Sequence, residues 1–449
     1  MTFPEAEQYL LSLANIPRRE YMKDTKRCDV YLKRTQYLLD LLDNPEKKIP
    51  HYIHVTGTSG KGSVATFLHA ILTAAGHKTG LLTSPHHTTI TERWRMNNRQ
   101  MSRQEFVALA KKIKPVLDHY LRTSPYDLIS YHELMDVFGF LYFAARRARW
   151  AVLEVGLGGR YCSTNVIPWK DAAVITNIGW DHIDLIGPTE AAIAREKAGI
   201  ITTRCLVFTA EKQKRLRAIF EAEAKKHGAT VTYVTADEAR IERTDIVTGT
   251  VFVYQNQRYR VSAPGAHQVS NAILAINVAQ SLGIAAGAIV HGLAMAKQPL
   301  RLEVVSRRPL IILDGAHNVE KMRTTVESLY HFITLSPHHP KVHLLIGFSH
   351  DKPWPFMIKQ LATLRPATIA CTRNTVNPFR KVAPPEALAR RGRQLLPRAR
   401  IESFLDPKEA LAWSRKHCRK NDILLITGSI FLSGELRPYL MTIPDEVDK

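Results

Sequence analysis

The sequence predicts an α/β protein with two domains, each built on a mostly parallel sheet. Three observations carry that expectation. Short continuous apolar runs, such as Trp150 to Val155 (WAVLEV) and Leu310 to Leu313, alternate with amphipathic helical segments, the pattern of βαβ units covered on both faces. A Gly-rich turn, Gly57-Thr58-Ser59-Gly60-Lys61-Gly62-Ser63, stands between the first such run and a helix. With 449 residues the chain exceeds one ordinary core, and its α/β rhythm restarts after Lys297-Gln298-Pro299. The expected division is residues 1–297 for an N-terminal phosphate-binding domain and 300–449 for a smaller α/β one.

Taken in order, Phe3 to Leu13 and Val30 to Leu42 each carry an apolar helical face, the second ending at Asn44-Pro45. Pro17 to Asp29, polar and basic, reads as a surface loop or a lid. Tyr52, Ile53 and Val55 lead into the Gly turn, and Val64, Phe67, Leu68, Ile71 and Leu72 follow at helical spacing. Thr79 to Thr83 is a short buried strand running into a polar loop from Ser84 to Asn98. Helices are expected at Glu105 to Leu121 and Leu134 to Arg146, and further strands at Ala172 to Ile178 and Cys205 to Thr209. Thr244 to Val261 alternates like an antiparallel hairpin, and Asn271 to Gly283 and Ile284 to Ala296 read as helices. In the second domain, strands are expected at Leu310 to Leu313, Val342 to Ile346, Thr368 to Cys371 and Ile423 to Thr427. The helices among them are Val319 to Leu329, Trp354 to Leu364 and Pro385 to Leu395.

Composition narrows the class. The balance of 45% hydrophobic and 23% charged residues is that of a globular protein, and no apolar run reaches the roughly 20 residues of a membrane helix. Cys28, Cys162, Cys205, Cys371 and Cys418 are scattered, with no CxxC, which argues against a disulfide framework or a zinc site. The N-terminus lacks a basic n-region followed by an apolar stretch, so a cytoplasmic protein is expected. The formal charge of +21 invites a polyanionic partner. Its carriers are spread out (Arg146-Arg147, Lys225-Lys226, Arg390-Arg391, Arg415-Lys416) and not interleaved with aromatics, which disfavours a nucleic-acid face.

The chemistry-bearing residues gather at strand ends, where parallel sheets bind ligands. Strand, Gly turn and helix make an anion site, with Lys61 as a mobile charge for outer phosphates and Ser63 as a hydroxyl for Mg²⁺. The ordinary P-loop pattern asks for Gly at Val55 and for Ser or Thr directly after the lysine, where Gly62 sits. Ser84, Glu154, the Gly156-Leu157-Gly158-Gly159 turn, Asn177, Asp181 and His182 follow later strands. Glu154 is the strongest single signal, because a carboxylate closing an apolar strand is costly without a cation or partner. His182 alone is more often a cap or core histidine, and Lys197 in REKAG reads on composition as a solvated helix end. Asn271 is expected to open its helix. Arg301 and Asp314 fit phosphate and ribose or amine contacts, and equally a linker salt bridge or a helix cap.

Together HVTGTSGKGS (54–63), TSPH (83–86), EVGLGGR (154–160), TNV (164–166), GWDHIDLIG (179–187) and AREKAGII (194–201) resemble one family. AHQVSNAILA (266–275), RLEVV (301–305), LDGAHN (313–318) and TGSIFLSGEL (427–436) continue the resemblance in order along the chain. The family is the folylpolyglutamate synthase/dihydrofolate synthase group of the Mur ligase superfamily, in whose loop the extra glycine at Gly62 is typical.

The resemblance implies an N-terminal P-loop ATPase domain with a smaller Rossmann-like C-terminal domain, and an ATP-dependent ligase of folate biosynthesis and one-carbon metabolism. ATP phosphorylates a carboxylate, and the amine of L-glutamate then displaces phosphate to form an amide. It implies Thr58, Gly60, Lys61, Gly62, Ser63, Asn271, Arg301, Asp314 and His317 as nucleotide-binding residues. Ser63, Ser84, Glu154, His182 and Lys197 would ligate two Mg²⁺ ions, Lys197 as a carbamate, since a free ammonium cannot ligate a cation. Lys61, Glu154, His182 and Lys197 carry the catalytic roles, and Tyr161, Cys162, Ser163 and Ser429 line the substrate. Small-molecule partners, a folate or dihydropteroate and L-glutamate, and a monomer without nucleic acid or membrane are implied.

The match departs at the pterin end. Cys162 stands where relatives have a carboxylate, and a thiol cannot pair with ring N–H donors as a carboxylate does. Ser130 to Asp136 (SYHELMD), near the same pocket by analogy, is more polar than usual, and DKP (351–353) replaces DKD. Two rivals therefore stay open: a Mur-type ligase acting on a non-folate carboxylate, and a basic P-loop NTPase acting on nucleic acid. Against the second stands the lack of an apolar strand closed by a Walker-B aspartate.

Overall fold

The computed structural model describes residues 1–16, 27–180, 183–336, 339–377 and 381–441. Most of the stretch read above as a loop or lid, residues 17–26, lies outside them, as do Asp181 and His182. The chain divides into two compact units. The first comprises Met1–Arg240, Val253–Arg260 and His267–Ala296; the second comprises Ile241–Phe252, Val261–Ala266 and the chain from Lys297 onward.

The first unit holds eight strands: β1 (His51–Thr56), β2 (Thr79–Leu82), β3 (Trp94–Met96), β4 (Arg99–Gln100), β5 (Trp150–Glu154), β6 (Ala172–Ile175), β7 (Leu206–Thr209) and β8 (Val231–Tyr233). They form one sheet in the order β4-β3-β2-β5-β1-β6-β7-β8. Pairing from β2 to β8 is parallel, and β3 and β4 extend one edge antiparallel. β3 falls in the stretch expected to be a polar loop, Ser84 to Asn98, and the edge strand β4 lies just beyond it. They are three and two residues long and, apart from Trp94, only partly buried or exposed, so no continuous apolar run announced them. β1 is central, with Ile53 opposite both Val152 and Ala172.

Ten helices accompany this sheet: α1 (Phe3–Ser12), α2 (Val30–Leu41), α3 (Lys61–Ala74), α4 (Arg103–Thr123), α5 (Tyr131–Ala145), α6 (Ile183–Ile186), α7 (Glu190–Ala198), α8 (Lys214–Lys226), α9 (Ala266–Ser281) and α10 (Ala286–Met295). One core joins Leu10, Leu38, Phe106 and Phe138 of α1, α2, α4 and α5 to Tyr52 and Leu153 of the sheet. A second packs Ile193 of α7 and Phe220 of α8 on Ile175 and Val207. α10 lies so close on α3 that a Cβ at Gly292 would run into the Ile71 backbone.

α5 begins with a capping box: the Ser130 amide donates to Glu133 at 2.6 Å, and the Glu133 amide donates to Ser130 Oγ at 3.2 Å. The same glutamate accepts from Arg34 Nε of α2 at 2.7 Å, while Arg34 Nη1 reaches Asp127 at 2.9 Å. Arg34 is 1% exposed, so two carboxylates hold one buried guanidinium and pin α2 to the start of α5.

The second unit has a six-stranded sheet of β12 (Glu303–Arg307), β13 (Leu310–Leu313), β14 (Val342–Ile346), β15 (Thr368–Cys371), β16 (Arg400–Ser403) and β17 (Ile423–Thr427), after the three strands described next. Its order is β12-β13-β17-β14-β15-β16, parallel except for β12. Its helices are α11 (Val319–Leu335), α12 (Trp354–Ala362), α13 (Pro385–Leu395), α14 (Pro407–His417) and α15 (Ile430–Met441). β12, β16 and α14 were not foreseen: both strands lie at sheet edges and carry charged residues. The expected hairpin of Thr244 to Val261 is instead three strands, β9 (Arg240–Asp245), β10 (Gly249–Tyr254) and β11 (Gln257–Val261), ordered β11-β10-β9. Their residues are shared between the two units.

Replacing Glu133 with Ala leaves Arg34 buried beside Asp127 alone and removes the cap of α5. The expected loss is about 3–5 kcal/mol of stability, with a smaller loss for Glu133→Gln, read by urea denaturation followed by tryptophan fluorescence.

Candidate active site

The carboxyl ends of β2, β5, β1 and β6 lie side by side, and the Gly turn after β1 is laced to the segment after β6. Thr58 N donates to the Asn177 carbonyl at 2.8 Å, Ser59 N to Asn177 Oδ1 at 2.9 Å, and Thr176 Oγ1 to the Ser59 carbonyl at 2.6 Å. Gly179 N adds a bond to Thr58 Oγ1 at 3.0 Å. β6 stops at Ile175 and not at the expected Ile178: the Thr176 amide still donates to the Thr56 carbonyl at 2.9 Å, while the Thr176 hydroxyl and Asn177 hold the loop.

Two glycines are required by the geometry. Gly57 has φ +142 and lies against Thr176, whose hydroxyl a Cβ would strike. Gly60, φ +85, is the N-cap of α3, and a Cβ there would meet the Asn271 carboxamide. Asn271 does not open its helix as expected. α9 starts at Ala266, so Asn271 lies in the second turn, where its side chain abuts the loop. With the cap at Gly60, Lys61, Gly62 and Ser63 are the first three residues of α3, the positions whose amides have no partner within the helix and face an anion favourably.

Two lysines converge on one atom of this loop. Lys61 Nζ and Lys197 Nζ each donate to the Gly57 carbonyl oxygen at 2.8 Å. Lys197 is 3% exposed, in the last turn of α7. The expectation of a solvated helix end, drawn from composition, does not hold for it: burial is set by packing between α7 and the Gly turns, which charge content does not encode. Glu196, next to it, accepts from Tyr161 N at 3.3 Å, and Arg160 N bonds the Glu196 carbonyl at 2.9 Å, so the GLGGR turn is fastened to α7.

Glu154 pairs with Val55 across the β1–β5 ladder and is 6% exposed. Its Oε2 accepts from Ser84 N at 3.0 Å, which brings the ends of β2 and β5 together one strand away from the Gly turn. Ser63, the third residue of α3, is buried as well. Carboxylate and hydroxyl oxygens make a donor set suited to a hard cation such as Mg²⁺. His182, the remaining expected ligand, lies outside the described residues.

The residues expected to contact the acceptor, Tyr161, Cys162 and Ser163, lie in a second region of the same unit. Cys162 is half-buried, and burial together with Asp136 raises its thiol pKa. Its sulfur accepts from Thr164 Oγ1 at 3.1 Å, and Thr164 is in turn bonded to the buried His54 at 2.8 Å. Ser163 Oγ donates to Asp136 Oδ2 at 2.5 Å. Asp136, 27 positions upstream of Ser163, was not assigned as a site residue from the sequence, although its segment, Ser130 to Asp136, stood out there as unusually polar and near this pocket by analogy.

In the second unit the structure gathers Arg301, Asp314 and His317. Asp314, 6% exposed, accepts from Leu302 N at 3.1 Å, Ala316 N at 3.0 Å and Thr325 Oγ1 at 2.8 Å, and burial raises its pKa. His317 Nδ1 meets the Gly315 carbonyl at 2.9 Å, and Arg301 Nε donates to Gln298 at 3.2 Å. Ser429 is buried just before α15, whose Ser433 hydroxyl donates to the Asp314 carbonyl at 2.8 Å. Arg437 of α15 clamps Glu303 of β12 with bonds of 2.9 and 2.7 Å.

A lysine-bearing Gly loop opening a helix, a carboxylate closing the adjacent strand and a second buried lysine define an ATP-dependent ligase of the Mur type. Family models agree: that for the Mur ligase middle domain matches residues 55–279, and that for the Mur ligase glutamate ligase domain matches residues 300–430. The chain is 32% identical over 424 residues to the dihydrofolate synthase/folylpolyglutamate synthase of Bacillus subtilis, covering 91% of this chain and 94% of that one. It is 30% identical, with the same coverage, to the folylpolyglutamate synthase of Lacticaseibacillus casei. The solved folylpolyglutamate synthase of Thermotoga maritima superposes with a TM-score of 0.81 at 27% identity over 98% of this chain and 97% of that one. The Mycobacterium tuberculosis enzyme complexed with ADP gives 0.82 at 27% over 99% of each. The chain belongs to the folylpolyglutamate synthase/dihydrofolate synthase family.

Gly57→Ala forces a side chain onto Thr176 at a left-handed φ. It should lower stability by about 1–3 kcal/mol and weaken ADP binding at least tenfold by calorimetry, whereas Thr176→Val should cost about 1 kcal/mol.

Proposed function

We propose that this ligase adds L-glutamate to the carboxylate of a pterin acceptor, dihydropteroate or a folate, through an acyl phosphate made from ATP. The observation that carries the reading is the meeting of Lys61 and Lys197 on the Gly57 carbonyl beside Glu154, in a chain similar over nine-tenths of its length to enzymes named for this activity. Transfer of a phosphoryl group to a carboxylate brings two anions together, so the site has to supply positive charge to both.

In this reading the amides of Lys61, Gly62 and Ser63 at the start of α3, with Thr58 and Gly60, cradle the phosphates of ATP, and Lys61 swings from the Gly57 carbonyl to the outer phosphates. Asn271 borders the nucleotide, and by family resemblance Arg301, Asp314 and His317 are assigned nucleotide-binding roles. Ser63, Ser84, Glu154 and His182 would hold two Mg²⁺ ions, which when bound would neutralise phosphate charge. Tyr161, Cys162 and Ser163 face the acceptor, and Ser429 the amino acid.

The shared carbonyl favours a carbamate on Lys197. Two ammonium nitrogens bonded to one oxygen lie within about 6 Å, where like charges in a partly desolvated site repel by a few kcal/mol. Addition of CO₂ to the neutral Lys197 amine, with loss of one proton, replaces that cation by a carboxylate-type ligand, and the repulsion becomes attraction toward Lys61 and Mg²⁺. The enzyme would act as a monomer in the cytoplasm; five free thiols support a reducing compartment. No helix among the described residues is long and apolar enough to cross a membrane.

With ATP, Mg²⁺ and glutamate, ADP release should require dihydropteroate or a folate; release driven only by nucleic acid, or only by muramyl carboxylates, would refute the reading. Lys197→Ala should lower kcat by at least about 100-fold, with partial recovery in formate or acetate. Full activity of that variant would remove Lys197 from the mechanism.

A further inference from the structure

Asp136 is a carboxyl that the roles above leave unused. It lies in the second turn of α5, between Met135 and Val137, both buried, on a helix whose remaining residues are largely core. A carboxyl in such company costs stability unless something pairs with it. Asp136 and Cys162 are both half-buried, yet the surrounding protein desolvates each of them: the Asp136 carboxyl is pushed up to about 7, against the opposing pull of Ser163 and Arg93. Both therefore stay open to solvent where α5 meets the turn that carries Cys162 and Ser163, a junction closed by the Ser163–Asp136 hydrogen bond.

This junction has a defined polarity. Ser163 Oγ donates to Asp136 Oδ2, fixing the plane of the carboxyl. The Cys162 sulfur, whose charge state Asp136 influences, is engaged by Thr164, and a thiol is a weak acceptor in any case. Asp136 is therefore the strong acceptor at this junction, and Oδ1 makes no hydrogen bond to any described residue. Two carboxylate oxygens match two adjacent N–H donors on an N–C–N edge, the pairing that carboxylates make with guanidinium.

We propose that Asp136 is the specificity-determining acid of the acceptor site, pairing through its carboxyl with the ring N–H and amino donors of a 2-aminopyrimidinone head group. Ser163 is a positioning residue for that carboxyl. The inference rests on the pterin-ligase reading and assigns the residue that recognises the head group.

The test compares dihydropteroate with an analogue lacking the 2-amino group. Asp136→Asn offers one acceptor and sets its own N–H₂ against the donors of the ring. It should raise the KM for dihydropteroate about 10–100-fold and lower discrimination against the analogue by a similar factor. The KM values for ATP and glutamate and the affinity for ADP should stay within about twofold, a split that general loss of structure would not produce. An unchanged acceptor KM with unchanged discrimination overturns the proposal. If Asp136→Asn fails to bind ADP, Ser163→Ala decides: a rise of about 3–10-fold in the same KM supports the assignment, and no rise overturns it. Should the unmodified enzyme release no ADP with any pteroate or folate, the ligase reading fails. Activity there with an indifferent Asp136→Asn defeats this inference alone.

Discussion

The Gly57 carbonyl oxygen is the point on which the site turns. A single backbone acceptor holds two ammonium groups, one from the start of α3 and one from the end of α7, and it sits where a glycine alone fits against Thr176. Moving a phosphoryl group between anions demands concentrated positive charge, and concentrated positive charge is unstable in a protein without partners. A carbonyl dipole, the helix N-terminus reserved for anions and the Glu154 carboxylate one strand away together make that concentration tolerable before substrate arrives.

The sheet supplies the precision. β1 is central and flanked by β5 and β6, so the Gly turn, Glu154 and the Thr176–Asn177 pair emerge from three adjacent, fully hydrogen-bonded strands. Buried on both faces, these strands cannot shift register without exposing every apolar side chain they carry. α3 is held from the other side by α10, where Gly292 permits close approach to Ile71. The charges are thus carried on rigid elements, and the flexible parts are the lysine side chains themselves.

Much of this was legible in the sequence because central parallel strands announce themselves as unbroken apolar runs. β1, β5, β13, β14 and β17 could all be read that way, and Glu154 stood out by ending one of them. Strands at or next to a sheet edge were not legible: β3, β12 and β16 mix charged with apolar residues, β4 is only Arg99 and Gln100, and β4, β12 and β16 each have one side that faces no further strand. The N-terminus of α9 was misplaced because Ala266, His267 and Gln268 carry no capping signature, which put Asn271 a turn too early. Lys197 could be assigned only through its motif, since nothing in REKAG encodes that the helix end is covered by a Gly turn. Asp136 was hidden for a related reason. A lone acid on an apolar helix is ambiguous until the fold shows that Ser163 and Cys162 stand opposite it.

That placement changes how the departure at Cys162 is understood. A thiol on the turn before a short 3-10 segment removes a strong acceptor from the loop side of the junction, while α5 provides one from the helix side. A carboxyl on a helix is fixed by the backbone ladder and by the capping box that Ser130 and Glu133 build at its start. The buried Arg34 ties that same start to α2, so the chain of restraint runs from an ion pair in the core, through the helix cap, to the orientation of Asp136. An acid so anchored discriminates by geometry: a head group that presents two adjacent donors satisfies it, and one that presents an acceptor leaves a desolvated carboxyl unpaired. The loss of a carboxylate at position 162 is therefore compatible with strict recognition of an aminopyrimidinone ring, carried by a more rigid element of the fold.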